Sequence, residues 1–169
     1  FDSKLSGRYS GTKNNSFDTK FTFLGMTEGG EYGAIANVRN ESTLFTMWNN
    51  ILSYNKSFGK HNLNLMGGQE YQYNYWENQG QVSKNFQIDD LGVYNLGMAD
   101  PESHETPNTG AGEWTILSFF GRMNYNFSEK YLFTFTYRAD GSSRFAKNNK
   151  WAYFPSTAIA WRATEEDCM

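Results

Sequence analysis

Between Trp114 and Arg162 the chain alternates apolar and polar residues through three consecutive segments, joined first by a tight turn and then by a short polar loop. In the first segment Leu117, Phe119, Met123, Tyr125 and Phe127 hold odd positions, and Ser118, Arg122, Asn124 and Asn126 hold even ones. In the second, Tyr131, Phe133, Phe135 and Tyr137 alternate with Thr134, Thr136, Arg138 and Asp140. Side chains of a strand point alternately to opposite faces, so each segment has one greasy and one polar face. An aromatic-rich face backed by Asn, Arg and Thr suits a strand with hydrocarbon on one side and water on the other. The pattern predicts an all-β chain: an antiparallel up-and-down meander of about six strands, a segment of a large transmembrane β-barrel.

The rest of the composition agrees. Aromatic residues make up 18% of the 169 residues, with 14 Phe, 11 Tyr and 5 Trp, while Leu, Ile and Val together supply only 18. A soluble core leans on aliphatic side chains, whereas membrane barrels carry aromatic girdles at both interfaces. No stretch approaches the roughly 18 apolar residues of a membrane helix, which leaves barrel strands unaffected because half of each faces water. A net charge of −3 argues against a nucleic-acid partner, which calls for a basic stripe. Cys168 is the single cysteine and has no internal disulfide partner. Phe1 opens directly in an alternating pattern, with no signal peptide ahead of it, so an exported protein would carry its N-terminal part upstream.

Six strands are predicted, at about 1–10, 42–55, 61–75, 114–127, 131–140 and 151–162. The connections alternate in length: long polar stretches at 11–40 and 76–112, short turns at 56–60 and 128–130, and an intermediate loop at 141–150. Barrels of this class have short periplasmic turns and longer extracellular loops. That phase puts 11–40, 76–112 and 141–150 outside the cell and 56–60, 128–130 and 163–169 in the periplasm. Six strands fall short of the roughly eight of the smallest membrane barrels, so residues 1–169 are expected to be one partial barrel domain with no plug domain.

The stretches FGRMNYNFSEKYLFTFTYRADGSSRF (120–145) and KWAYFPSTAIAWRATEED (150–167) resemble the SusC/RagA family of TonB-dependent outer-membrane transporters. SYNKSFGKHNLNLMGGQE at 53–70 is similar to an upstream hairpin of the same family. The Asp140 to Phe145 motif and the Phe154-Pro155-Ser156 to Ala160-Trp161-Arg162 segment stand in the family's order and spacing. The resemblance implies a barrel of about 22 strands filled by a plug and energised through TonB. It also implies a multi-pass place in a Gram-negative outer membrane, lipid around it, and a SusD-type surface lipoprotein as partner in capturing oligosaccharides or peptides.

Candidate substrate-contacting residues are Trp76, Arg122, Arg138, Asp140 and Arg144. The four charged residues share the polar parity, and their plainer role is a solvated network of opposite charges on the inner wall. Asp-Gly and Ser-Ser in the DGSSRF loop are turn formers in their own right. Trp76 has the opposite parity to Tyr71, Tyr73 and Tyr75 and is expected at a loop entrance, able to stack on a sugar ring. The three tyrosines suit an interfacial girdle. Glu165, Glu166 and Asp167 read as a solvated turn. Asp89-Asp90 and the stretch from Asp100 to Glu105 hold carboxylates without EF-hand spacing. His61 and His104 are expected on opposite membrane sides, which removes a His-based metal or acid–base site. No catalytic residue, metal or cofactor is expected. The competing classes are a soluble all-β carbohydrate-binding or adhesion module, which needs a second layer over the apolar parity, and a small barrel enzyme, which needs a convergent catalytic set.

Overall fold

The computed structural model describes residues 1–88 and 90–165. Six strands, β1 (Asp2–Asp18), β2 (Ile35–Phe58), β3 (His61–Lys84), β4 (Asn108–Phe127), β5 (Tyr131–Ser142) and β6 (Trp151–Trp161), form one sheet in chain order. A single short helix, α1 (Phe23–Glu28), lies between β1 and β2.

Register explains why the alternation survives from strand to strand. In the β4–β5 ladder Phe119 pairs with Ala139, Met123 with Phe135, Tyr125 with Phe133 and Phe127 with Tyr131. On the opposite face Ser118 meets Asp140, Arg122 meets Thr136 and Asn124 meets Thr134. β6 keeps the phase, setting Ile159 against Phe133 and Trp161 against Tyr131 on the apolar face. Ser142 N–H donates to Lys150 O at 2.9 Å and Arg162 N–H to Lys130 O at 2.8 Å. Even-numbered positions of β5 are therefore the hydrogen-bonded pairs of that ladder. Pro155, opposite the odd-numbered Tyr137, turns its missing N–H away from β5 and costs that ladder nothing.

The chain divides into two compact units, residues 1–7, 45–74 and 114–169 in the first and 8–44 and 75–113 in the second. In the first unit the apolar face has no layer over it: Tyr131 is 48% exposed, Phe119 46%, Tyr137 42% and Phe135 38%. Among the described residues, the second layer that a soluble module requires is not found over this face of the first unit.

The second unit is organised differently. Ala34, Ala36, Phe86 and Ala99 are buried together, with Phe17, Val93 and Leu96 packed around them and the Phe17 and Phe86 rings edge to face at 5.4 Å. Asn85 ties this small core together. It adopts φ 61°, a left-handed conformation that Asn tolerates better than most residues. Its side chain accepts from Tyr32 N–H at 2.7 Å and donates to Asp100 Oδ2 at 3.2 Å. Its backbone N–H donates to Ala34 O and its carbonyl accepts from Asp100 N–H. Thr22 caps α1, its hydroxyl accepting from Gly25 N–H at 3.0 Å.

Strand lengths differ from expectation. β1 runs to Asp18 rather than 10, β2 begins at Ile35 rather than 42, and β3 continues to Lys84 rather than 75. The connections expected at 11–40, 76–112 and 141–150 shrink to 19–34, 85–107 and 143–150. At 24 residues each, β2 and β3 are far longer than the roughly 9–11 residues a membrane strand needs. The extensions carry polar residues on both faces, with Asn40, Ser42, Glu77 and Gln79 on one and Arg39, Glu41 and Asn78 on the other. Polarity alternation vanishes there while the backbone ladder, indifferent to side-chain polarity, goes on.

Two tight turns close the hairpins. Gly59, at φ 60°, is the first of two residues between Phe58 and His61, the II′ arrangement that glycine favours. After β4, Ser128 (φ 53°) and Glu129 (φ 58°) are both left-handed, and Lys130 N–H donates to Phe127 O at 3.0 Å, which makes a type I′ turn without glycine. Left-handed geometry costs such side chains about 1 kcal/mol each. Glu129→Gly is therefore expected to stabilise the β4–β5 hairpin by about 1 kcal/mol, read as a higher urea midpoint for detergent-folded protein; a lower midpoint contradicts the turn assignment. Asn85→Ala removes two side-chain bonds and should cost the second unit about 2 kcal/mol. Limited proteolysis should then cut faster within 19–34 and 85–107, and unchanged cutting would show that Asn85 is not the tie.

Candidate functional site

On the polar face of the first unit Arg138 is the centre of a charged network. An i, i+2 spacing on β5 puts Arg138 and Asp140 on the same face, and Arg138 Nε lies 2.8 and 3.0 Å from the two carboxylate oxygens of Asp140. Its Nη2 donates to Ser118 Oγ on β4 at 3.1 Å and lies 3.7 Å from Glu70 Oε1 on β3. The guanidinium sits 5.8 Å over the ring of Phe120, its partner in the ladder. Gln72 donates to Glu70 at 2.8 Å, which completes a chain of polar contacts across β3, β4 and β5.

One cation between two carboxylates leaves a net negative spot, and the Ser118 hydroxyl that the guanidinium also engages is fully buried. Side-chain exposures of 41% for Arg138, 25% for Asp140 and 18% for Glu70 keep the group within reach of solvent, so each ion pair adds no more than about 1 kcal/mol to stability. Chemically the network offers acceptors and a fixed guanidinium to a polar partner.

The expected site residues do not all converge. Arg144, past the end of β5, lies with its guanidinium 5.0 Å over the Trp114 ring, which also faces Phe45 at 6.4 Å. Arg122 is exposed opposite Thr136, apart from the Arg138 contacts. Trp76 belongs to the second unit and stands within β3, because the strand continues past it; the expected place at a loop entrance is corrected accordingly. A Cβ on Gly112 would fall 2.9 Å from Trp76 Nε1, so the indole rests against the glycine backbone of β4 while remaining 38% exposed. Of the three tyrosines, Tyr71 is exposed and Tyr75 donates to Glu77 at 3.2 Å.

The DGSSRF segment is less of a loop than its turn-forming residues suggest. Gly141 and Ser142 are in β5, and Ser143 exchanges bonds with Thr115, donating from its N–H at 3.0 Å and accepting at its hydroxyl at 2.9 Å. His61 hydrogen-bonds the Tyr125 hydroxyl at 2.7 Å and stacks on Phe58, whereas His104 bonds Ser83 at 2.8 Å in the other unit. Asp100 caps a turn by accepting from Glu102 N–H at 3.0 Å, and Glu105 pairs with Lys84 at 3.0 Å. Asp89, Glu166, Asp167 and Cys168 lie outside the described residues. Among the described residues no three His, Cys, Asp or Glu side chains gather as metal ligands would.

Sequence reasoning did not bring Glu70, Ser118 and Phe120 to Arg138. Each held the polar parity, which was a usable signal, but which of them meet depends on register between strands that lie tens of residues apart.

No protein-family model matches the chain. It is 40% identical over 152 residues to TonB-dependent receptor P3 of Formosa agariphila, covering 89% of this chain and 15% of that relative. To TonB-dependent receptor P26 of the same organism it is 34% identical over 172 residues, covering 99% of this chain and 17% of the relative. TonB-dependent receptor SusC of Bacteroides thetaiotaomicron is 37% identical over 122 residues, 72% of this chain and 12% of SusC. Among solved structures, that of the RagAB peptide transporter superposes with a TM-score of 0.78 at 27% identity, over 92% of this chain and 17% of that one. The chain thus spans less than a fifth of the length of the relatives it matches. A six-stranded meander with one bare apolar face, superposing on RagAB and akin in sequence to SusC, belongs to the SusC/RagA family of TonB-dependent receptors and matches a segment of its β-barrel.

Proposed function

We propose that this chain forms part of the wall of an outer-membrane importer, powered through TonB, that takes up oligosaccharides or peptides together with a SusD-type surface lipoprotein. The observation that carries the reading is the bare apolar face of the first unit, continuous in register across β4, β5 and β6. Aromatic rings left nearly half exposed are stable where hydrocarbon replaces water. The polar face then lines a hydrated interior, and the Arg138–Asp140–Glu70 network together with Arg122, Arg144 and Trp76 supplies its candidate contacts to substrate or plug. The connecting segments within 11–40, 76–112 and 141–150 lie on the extracellular side, and the tight turns at 56–60 and 128–130 on the periplasmic side. Its relatives carry the names of receptors, which favours an importer over an enzyme.

Fractionation tests the location: the protein carrying this chain should sediment with outer membranes and dissolve only with detergent. Recovery as a detergent-free monomer would favour the soluble carbohydrate-binding or adhesion module instead. Uptake tests the site. Arg138→Met should reduce import of a fluorescent oligosaccharide or peptide pool by about tenfold at limiting substrate, the size expected for losing one charged hydrogen bond. Band-shift on heating, which reports a closed barrel, should be unaltered, and full uptake by the variant would reduce the network to a wall support.

A further inference from the structure

Within the second unit, one face of the sheet changes from apolar to polar on three strands together. Every second residue of a strand shares a face. On β1 Tyr9 is followed by Gly11 and Lys13, on β2 Leu44 is preceded by Ser42 and Asn40, and on β3 Tyr75 is followed by Glu77 and Gln79. Tyr9 is 73% exposed and Leu44 39%, apolar side chains bare as those of a lipid-facing row are. Ser42 Oγ donates to Glu77 Oε1 at 3.0 Å, so β2 and β3 make the change at the same level. Tyr75 stands at the step, and its hydroxyl donates to Glu77 Oε2 at 3.2 Å. An aromatic body on the apolar side with its hydroxyl on the polar side is the posture of a ring at the edge of the hydrocarbon.

Just past the step lies a hollow of about 950 Å³, room for a ligand rather than for a single water. Asn40, Ser42, Gln79 and Thr109 bring amides and hydroxyls to it from β2, β3 and β4. Trp76 rests on Gly112 from the opposite face, which leaves the odd positions Thr109 and Ala111 of β4 on the Glu77 side. Among the described residues lining the hollow, Lys13 is the one cation, set against Glu41 and Glu77. A lining without surplus positive charge does not select phosphate. Amides and hydroxyls, which both donate and accept, match the hydroxyls of a sugar ring. The level names the source: a polar hollow bordering a lipid-facing row, on strands that outrun the hydrocarbon, lies at the depth of lipid head groups. We propose that this hollow seats the saccharide head group of an outer-leaflet glycolipid. The proposal rests on the membrane reading above and concerns the lipid around the wall, not the transported solute.

The test uses the full outer-membrane protein that carries this chain, produced in a Gram-negative host whose outer leaflet holds glycolipid. Benzoylphenylalanine, a photo-cross-linker, is placed at Thr109 or at Leu44 and activated in intact cells. A glycolipid adduct joined through its sugar is expected at Thr109, and an acyl-chain adduct at Leu44. Retention through detergent exchange, read by native mass spectrometry, then separates a seat from mere proximity. Asn40→Ala with Gln79→Ala should cut the retained glycolipid about tenfold, the loss of two neutral hydrogen bonds. Gly11→Leu with Ala111→Leu, which fills the hollow, should do the same; a Cβ on Gly11 meets only the Tyr9 ring, at 3.8 Å. Ile159→Ala, an exposed lipid-facing position outside the hollow, should leave retention unchanged. An acyl adduct at Leu44 without a sugar adduct at Thr109, a sugar adduct bearing no acyl chain, or retention indifferent to both pairs overturns the seat while the membrane reading stands. No acyl adduct at Leu44 overturns the membrane reading and the seat with it.

Discussion

The ladder of backbone hydrogen bonds is the constraint on which everything else rests. Within hydrocarbon an unpaired N–H or C=O costs several kcal/mol, so a wall strand must satisfy both of its edges with neighbours. Once that ladder exists, the pleat decides which side chains meet lipid and which meet water. A slip of one residue in β4–β5 would carry Arg138 and Asp140 to the apolar side and Phe135 and Tyr137 to the polar side. The register is thus held by the transfer energies of whole rows of side chains rather than by any single pair.

Local features follow from protecting that ladder. Pro155 is placed where its missing N–H leaves β5 fully bonded, and the tight turns of two and three residues keep strands in phase at the hairpin ends. The turn at Ser128 and Glu129 accepts left-handed strain in two ordinary residues, and Ser128 N–H donates to Lys60 O in the neighbouring turn at 2.7 Å, so the strained loop is braced. The second unit solves a different problem. Polar residues on both strand faces offer no hydrocarbon contact to organise them, and a small core of Ala and Phe, tied by Asn85, supplies order instead.

The polar face concentrates charge where register and parity coincide. Arg138 reaches a carboxylate on its own strand, a hydroxyl on the next and a second carboxylate one strand further, while Phe120 lies beneath its guanidinium. Gly68 belongs to the same arrangement, because its missing side chain makes room for the Phe120 ring. Polar network and glycine are thereby two sides of one packing solution.

Alternation between Leu117 and Tyr137 sufficed to read the strands, their two faces and the meander, because a period of two is a local property of pleated backbone. The DGSSRF and FPS segments were enough to recognise the family. The strand ends beyond 10, before 42 and past 75 were not legible, since side chains that are polar on both faces carry no periodic signal. Which polar residues meet was equally hidden: Glu70 and Arg138 are 68 positions apart, and only the assembled register brings them to 3.7 Å. The difference is physical. Parity is set by each residue's own neighbours in the chain, whereas contact across strands is set by how the backbones of three strands slide into alignment.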